Sequence, residues 1–189
     1  IGTDMAAGKM TVGLELYSYL KEKQINTGFV ATGQVGITVT GKGIPLDAYK
    51  LDHACGAVES AVIEQKDKDI VVVEGQGSIL HPGSTATLPL MRGTCPTHMI
   101  LCHIARNDSL RSLENIKIPD LKKFIKLNEE LASVIGTYPD TKVIGIALNT
   151  LLMTDEVAKE FIKKTEEETG LPATDVIRYG GDKIFSQLI

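Results

Sequence analysis

An uninterrupted apolar run, Ile70 to Val73, is the strongest constraint on the fold of this chain. It is bounded by Asp69 and Glu74. A strand that is apolar on both faces is typical of a parallel sheet with helices packed on each side. Ligands of open α/β folds bind beyond the carboxyl ends of such strands, so Glu74 is expected at a functional edge. The run therefore predicts an α/β protein.

Strand-like and helix-like patterns alternate along the rest of the chain. Strands are predicted at residues 27–32, 69–74, 99–104 and 143–148, with a last short strand at 175–179. Helices are predicted from the glycine-rich start of the chain to residue 24, and at 46–65, 121–135 and 156–168. Between them, Ile37, Val39 and Ile44 are interpreted as a short ribbon. The alternation predicts right-handed crossovers and a doubly wound, mostly parallel sheet with helices on both faces.

Composition excludes several classes of protein. The chain has 189 residues and a net charge of −4, without long blocks of one sign, so neither nucleic acid nor a membrane surface is an expected partner. No apolar run approaches the roughly 20 residues that span a bilayer, and a cytoplasmic location is expected. The three cysteines lack C-x-x-C spacing, which argues against disulfides and zinc. The sequence does not fix the oligomeric state, and a homo-oligomer is compatible with it.

A glycine-rich loop, residues 2–11, precedes the first helical pattern and is called the phosphate loop below. Its glycines let backbone amides approach phosphates, the helix start adds partial positive charge, and Lys9 supplies a cation. The spacing exceeds that of G-x-x-x-x-G-K-[ST] by one residue, and Met10 replaces the usual hydroxyl, which leaves Thr11 for that role. The predicted nucleotide contacts here are Gly2, Thr3, Asp4, Ala7, Gly8, Lys9, Met10 and Thr11.

Such a loop normally follows a buried strand, yet only Ile1 precedes it here. We therefore expect the natural polypeptide to continue upstream and to supply the first strand there. Residues 1–189 are interpreted as one nucleotide-binding domain.

Two further loops follow predicted strands and are expected at the same sheet edge. Thr32, Gly33 and Gln34 offer a hydroxyl, a flexible backbone and an amide for substrate contact. The segment Gly75, Gln76, Gly77 and Ser78 offers amide donors for a substrate carboxylate or an oxyanion. His81 is a candidate acid or base, because imidazole titrates near neutrality. Lys9, Glu74 and His81 are the predicted catalytic residues, whereas His98 and His103 flank a predicted strand and are interpreted as structural.

The phosphate loop resembles the GTD-x-x-x-GKT loop of dethiobiotin synthetase and its relatives. The chain resembles still more closely the carboxyl-terminal P-loop half of domain-of-unknown-function family 1611. The segments that carry this likeness, besides the loop, are VATGQVG (30–36), DHACGAVE (52–59), VVVEGQGSILHP (71–82) and PATDVIRYGG (172–181). The family resemblance implies an upstream Rossmann-like domain.

The dethiobiotin-synthetase-like pattern also implies ligand contacts. Glu74 and an aspartate would share Mg²⁺ with Thr11, and Asp52 matches that aspartate best, with Asp47 in reserve. Asn149 matches the asparagine that contacts the nucleotide base, since an amide can bond bidentately to adenine; a helix cap or turn residue is the alternative.

Arg178 could close the pocket over a phosphate or carboxylate, because its planar fork suits both. A surface salt bridge with Asp175 or Asp182 is the alternative.

Three functions are compatible with these residues. The leading hypothesis is an ATP- and Mg²⁺-dependent enzyme that phosphorylates or activates a small carboxylated substrate, with Lys9 on the phosphates. The second comes from the family resemblance: some members are associated with acetyl-CoA-dependent N-acetylation of D-glutamate, and the phosphate loop would then bind CoA phosphates. The third is a nucleotide-controlled regulatory module without turnover.

Overall fold

The structure, a computed structural model, describes all of residues 1–189 and confirms the α/β class. The helices are α1 Lys9–Glu22, α2 Gln34–Thr40, α3 Leu51–Ile63, α4 Thr87–Thr94, α5 Leu121–Ser133, α6 Asp155–Thr169, α7 Val176–Tyr179 and α8 Asp182–Phe185. The strands are β1 Thr27–Val30, β2 Ile70–Val73, β3 His98–Ile104, β4 Ser109–Leu110, β5 Leu113–Lys117, β6 Lys142–Asn149 and β7 Ala173–Thr174. Short 3₁₀ turns occupy Leu46–Ala48 and Ser186–Leu188. No helix has the length and apolar character needed to cross a membrane.

The parallel strands form two groups. Strand β1 pairs with β2, from Thr27 opposite Ile70 onwards, and β6 lies between β3 and β7. Strands β4 and β5 form a separate antiparallel hairpin. The first residues of the chain run along β3. The amide of Cys102 donates to the carbonyl of Ile1 over 3.0 Å, and the amide of Thr3 donates to the carbonyl of Cys102 over 3.1 Å. The phosphate loop therefore leaves the sheet next to β3.

A groove of about 530 Å³ separates β2 from β3. Its walls are mainly apolar and include Leu16 of α1, Val72 of β2, Met91 of α4 and Ile100 of β3. The amino group of Ile1 is buried at one end and donates to the carbonyl of Ile100 over 3.0 Å. The groove thus lies between two parallel strands, and Ile1 borders one end of it.

Two apolar clusters hold the helices against the strands. Helix α1 buries Val12, Leu16 and Leu20 with Phe29 of β1 and Val72 of β2. The second cluster joins β3, β6, α5 and α6 through Leu101, Ile146, Phe124 and Ile162. Burial of such side chains contributes roughly 1.5–3 kcal/mol each, so these clusters fix the strand ends around which the site is built.

The structure corrects two predicted elements. The predicted ribbon is wrong, because Ile37 and Val39 lie on α2, where the Thr38 and Thr40 hydroxyls donate to carbonyls four residues back. The predicted strand at 175–179 is also wrong. The Asp175 carboxylate accepts the amides of Ile177 and Arg178 and starts α7, and the strand β7 ends just before it.

The helix predicted at 46–65 is shorter than expected. It is interrupted by the 3₁₀ turn Leu46–Ala48, and the α-helix α3 begins only at Leu51.

Candidate phosphate-binding site

The phosphate loop presents a row of unpaired backbone amides. Gly8 has a φ of 100°, which a glycine adopts at low cost, and α1 begins directly after it without a side-chain cap. The first helical hydrogen bond is donated by Val12 to the carbonyl of Gly8. None of the six amides from Ala6 to Thr11 donates a hydrogen bond within the chain. Such amides, together with the positive end of the helix, are suited to phosphate oxygens.

Lys9 folds back into the loop. Its Nζ donates to the carbonyls of Asp4 over 2.7 Å and Met5 over 2.8 Å, and the residue is only 7% exposed. Burial lowers the pKa of Lys9. A side chain at Gly2 would lie 3.0 Å from Nζ, so the glycine leaves room for the ammonium group. The cation is therefore held inside the loop.

Thr3 and Asp4, predicted nucleotide contacts, use their side chains to hold the loop. The Asp4 carboxylate accepts the amides of Met5 and Arg111, both over 2.7 Å. The Thr3 hydroxyl lies 2.9 Å from Nδ1 of His103. Burial lowers the pKa of His103 to about 4, so its ring is neutral at pH 7. Sequence reasoning missed this partner, because nothing local connects residues 100 positions apart.

Glu74 joins the ends of β1 and β2. Its Oε2 accepts the amides of Thr32 over 3.0 Å and Gly33 over 3.2 Å, and its Oε1 accepts the Gln76 side-chain amide over 3.4 Å. The Thr32 hydroxyl donates to the carbonyl of Glu74 over 2.8 Å. The structure thus brings Thr32, Gly33, Glu74 and Gln76 together. The side chain of Gln34 points elsewhere and donates to Asp47 over 2.8 Å.

The two carboxylates predicted to bind magnesium differ in burial. Glu74 is 3% exposed and its oxygens already accept three N–H groups, whereas Asp52 is exposed in the first turn of α3. No group of three or more His, Cys, Asp or Glu side chains is placed to hold a metal ion. Mg²⁺ often needs only one or two carboxylates besides substrate phosphates. The assignment of Thr11, Asp52 and Glu74 to magnesium stays a prediction.

The loop after β2 lies against the phosphate loop. A side chain at Gly75 would lie 3.1 Å from Cδ of Lys9. The amides of Gly75, Gln76 and Gly77 donate no hydrogen bond within the chain. Ser78 is buried, and its amide donates to the Ser84 hydroxyl over 3.1 Å. Three adjacent amides therefore remain for an anionic group beside Lys9.

His81 is oriented by its own loop. Its Nδ1 accepts the amide of Gly83 over 3.1 Å. In the neutral ring with this contact, the proton sits on Nε2, which can donate a hydrogen bond. The acid or base role of His81 stays a prediction.

A small cavity of about 210 Å³ opens beside the phosphate loop, and Ala7, Gly8, Thr11, Asn149 and Arg178 are among its lining residues. Oδ1 of Asn149 accepts the amide of Leu151 over 3.1 Å, which is the turn role weighed from the sequence, and Nδ2 remains available. The Arg178 guanidinium donates to the carbonyls of Thr150 and Met153 and forms no salt bridge with Asp175 or Asp182. Asn149 and Arg178 therefore border the same cavity as the loop.

Parallel strands, a glycine-rich loop opening a helix and a lysine beside unpaired amides are the features of a P-loop domain. A family model described as "Domain of unknown function (DUF1611_C) P-loop domain" matches residues 1–185. The chain belongs to this family.

Relatives agree with this membership. Proteins named D-glutamate N-acetyltransferase, from Pseudoalteromonas sp and Tritonibacter scottomollicae, are each 34% identical over the whole chain, which spans 56% of either protein. The crystal structure of a DUF1611 family protein from Anabaena variabilis has 46% identity and a TM-score of 0.97, over 100% of this chain and 55% of that one. Chloroplast FtsY from Physcomitrella patens shares the fold alone, at 18% identity and a TM-score of 0.51 over 92% of this chain and 55% of its own. The chain therefore spans little more than half the length of these proteins.

Proposed function

We propose that this chain is the CoA-binding domain of an acetyltransferase that acts on the amino group of an acidic amino acid of the D-glutamate class. The observation that carries the proposal is the row of six unpaired amides from Ala6 to Thr11 beside Lys9. The names of the two 34%-identical relatives support the reaction class. CoA contains a pyrophosphate, which amides and an ammonium group can bind without a metal ion.

The described residues fit such a ligand. The loop amides and Lys9 would hold the pyrophosphate, and the small cavity at Asn149 and Arg178 would take the nucleoside. Bound acetyl-CoA supplies an activated acyl group. The unpaired amides from Gly75 to Gly77 would orient the substrate carboxylate next to the phosphate loop, and the Nε2–H of His81 adds a donor in the same segment.

Phosphorylation or activation of a carboxylated substrate by Mg²⁺-ATP is the second candidate. It is favoured by the contact of Gly75 with Lys9, which places the end of β2 against the phosphate loop. This candidate ranks lower because the carboxylate oxygens of Glu74 already accept hydrogen bonds from the amides of Thr32 and Gly33 and from the side chain of Gln76. A metal there would compete with those contacts.

Ligand binding tests the proposal. Calorimetry and thermal shift would compare acetyl-CoA without metal against ATP with Mg²⁺, since a ligand that binds only the folded state raises Tm. We expect acetyl-CoA to stabilise the protein, and Lys9→Ala to weaken its binding about tenfold or more, as for loss of a charged hydrogen bond. Lys21→Ala is the matched control, because Lys21 is an exposed residue of the same helix.

Activity decides between the functions. With D-glutamate and acetyl-CoA, mass spectrometry should detect the N-acetylated amino acid, formed by the whole protein and formed more slowly by Lys9→Ala at sub-saturating acetyl-CoA. Stabilisation by Mg²⁺-ATP alone, with release of ADP on turnover, would favour the second candidate. Binding of nucleotide without any product would favour the regulatory module.

A further inference from the structure

The segment after β3 contacts the site at two points. The amide of Ala105 donates to the carbonyl of Asn149 over 3.1 Å, at the rim of the small cavity. The amide of Arg111 donates to the Asp4 carboxylate over 2.7 Å, in the phosphate loop. Leu110 is 1% exposed and anchors the hairpin between these points. Residues 105–111 therefore bridge the two places assigned to the nucleoside and to the pyrophosphate.

Two arginines in this bridge have unpaired guanidinium groups. Arg106 and Arg111 are exposed, and neither side chain donates a hydrogen bond or forms an ion pair within the chain. Two nearby acids are engaged elsewhere: Asp108 bonds to Lys117 and Ser109, and the Asp4 carboxylate accepts backbone amides. Neither guanidinium is therefore held by a carboxylate within the chain.

Arginine is rare in this chain, and half of its arginines lie in this segment. Only four of the 20 lysine and arginine residues are arginines. Arg178 is bonded to carbonyls, and Arg92 lies over the ring of Tyr138. Both remaining arginines are in this bridge. A guanidinium offers a planar, bidentate fork to phosphate, which an ammonium group does not.

The backbone is in an uncommon conformation at Arg106 and directly after Arg111. Arg106 has a φ of 64°, and Ser112, next to Arg111, has a φ of 65°. Left-handed backbone is unfavourable for residues other than glycine and persists where the surroundings impose it. The buried side chain of Leu110 and the bond of Arg111 to Asp4 supply that constraint next to Ser112.

We propose that Arg106 and Arg111 form a phosphate clamp that selects a ligand with two separate phosphate groups. Arg106, next to Ala105 at the rim of the small cavity, binds a phosphomonoester on the ribose, and Arg111, beside Asp4, binds the pyrophosphate. Such a ligand is CoA, which carries a ribose 3′-phosphate in addition to its pyrophosphate. The proposal rests on the proposed function and adds the residue that distinguishes CoA from its 3′-dephospho form.

Calorimetry with CoA and 3′-dephospho-CoA tests the clamp. We expect the unmodified protein to bind CoA about tenfold more tightly, the usual effect of one charged, bidentate contact. Arg106→Gln should reduce this preference to about twofold or less by weakening CoA alone, whereas Arg111→Gln should weaken both ligands. Lys122→Gln, at an exposed residue of α5, removes the same charge away from the site and should change neither affinity.

The outcomes separate the clamp from the proposed function. An unchanged preference in Arg106→Gln, or equal losses for both ligands, overturns the clamp while CoA binding by the unmodified protein still supports the function. Binding of neither ligand by the unmodified protein overturns both. A preference that depends on Arg106, in a protein that makes no acetylated product, supports the clamp and counts against the function.

Discussion

The Thr3 hydroxyl is hydrogen-bonded to Nδ1 of His103, across 2.9 Å and between the phosphate loop and β3. Because the imidazole is buried, its pKa falls from 6.5 to about 4. Between these values the unfolded state binds more protons than the folded state, so stability falls as pH drops below 6.5. The loss should approach about 3 kcal/mol near pH 4. Denaturant unfolding at several pH values measures it.

Replacement of His103 isolates this effect. His103→Asn should flatten the stability profile between pH 6.5 and 4, because the group that takes up the proton is gone. His98→Asn is the control, since His98 is exposed at the start of β3. Equal slopes for the unmodified protein and His103→Asn would contradict the assignment.

Gly36→Ala should disturb the end of β2. A Cβ at this position would overlap the Glu74 carboxylate, which holds the amides of Thr32 and Gly33. Overpacking of this kind costs about 1–3 kcal/mol, and we expect a lower Tm together with weaker ligand binding. Gly56→Ala, on α3 with open space around it, should instead be neutral or stabilising by up to about 1 kcal/mol. Similar Tm values for the two variants would refute the steric argument.

Asp175→Ala should be more damaging than an ordinary cap deletion. The buried carboxylate accepts the amide and hydroxyl of Thr150, both buried, and the partly buried amides of Ile177 and Arg178, so truncation leaves these donors without partners at a cost of about 3 kcal/mol. Asp120→Ala removes an exposed cap that serves only Lys123, with an expected cost of about 1 kcal/mol. Chemical denaturation of both variants gives the comparison.

The groove between β2 and β3 should accept an extended segment placed before Ile1. Its walls are apolar, and the nitrogen of Ile1 at one end bonds to the carbonyl of Ile100 on β3, so an extended segment there would lie beside β3. We expect an extension of about six β-branched residues to raise Tm, because it buries apolar surface. A glycine–serine extension of equal length is the control. No difference between the two would count against strand insertion.

The sequence predicted what depends on local pattern. The apolar runs that became β1, β2, β3 and β6, and the helical patterns of α1, α5 and α6, are read from periodicity. The short elements failed where a side chain decided the backbone: the Asp175 cap turned a predicted strand into α7. Helix α4 and the β4–β5 hairpin were not predicted, since both lie in segments with mixed, weakly periodic composition.

The site was partly accessible from sequence for a similar reason. Strands β1 and β2 are parallel neighbours, so their carboxyl ends lie at the same edge of the sheet. Thr32, Gly33 and Glu74 were expected at that edge, and they lie there. The pairing of Thr3 with His103 and of Asp4 with Arg111 depends on contacts about a hundred residues apart. No motif in a single sequence encodes such contacts.

The carbonyls of Asp4 and Met5 act as a resting place for the Lys9 ammonium group. An incoming anion must therefore compete with these two oxygens, and they return to water when the cation moves. Ligand affinity at this loop therefore depends on the difference between the bonds that Lys9 makes to the ligand and those that it makes to the two carbonyls. It can be raised by weakening the carbonyl bonds as well as by adding contacts to the ligand.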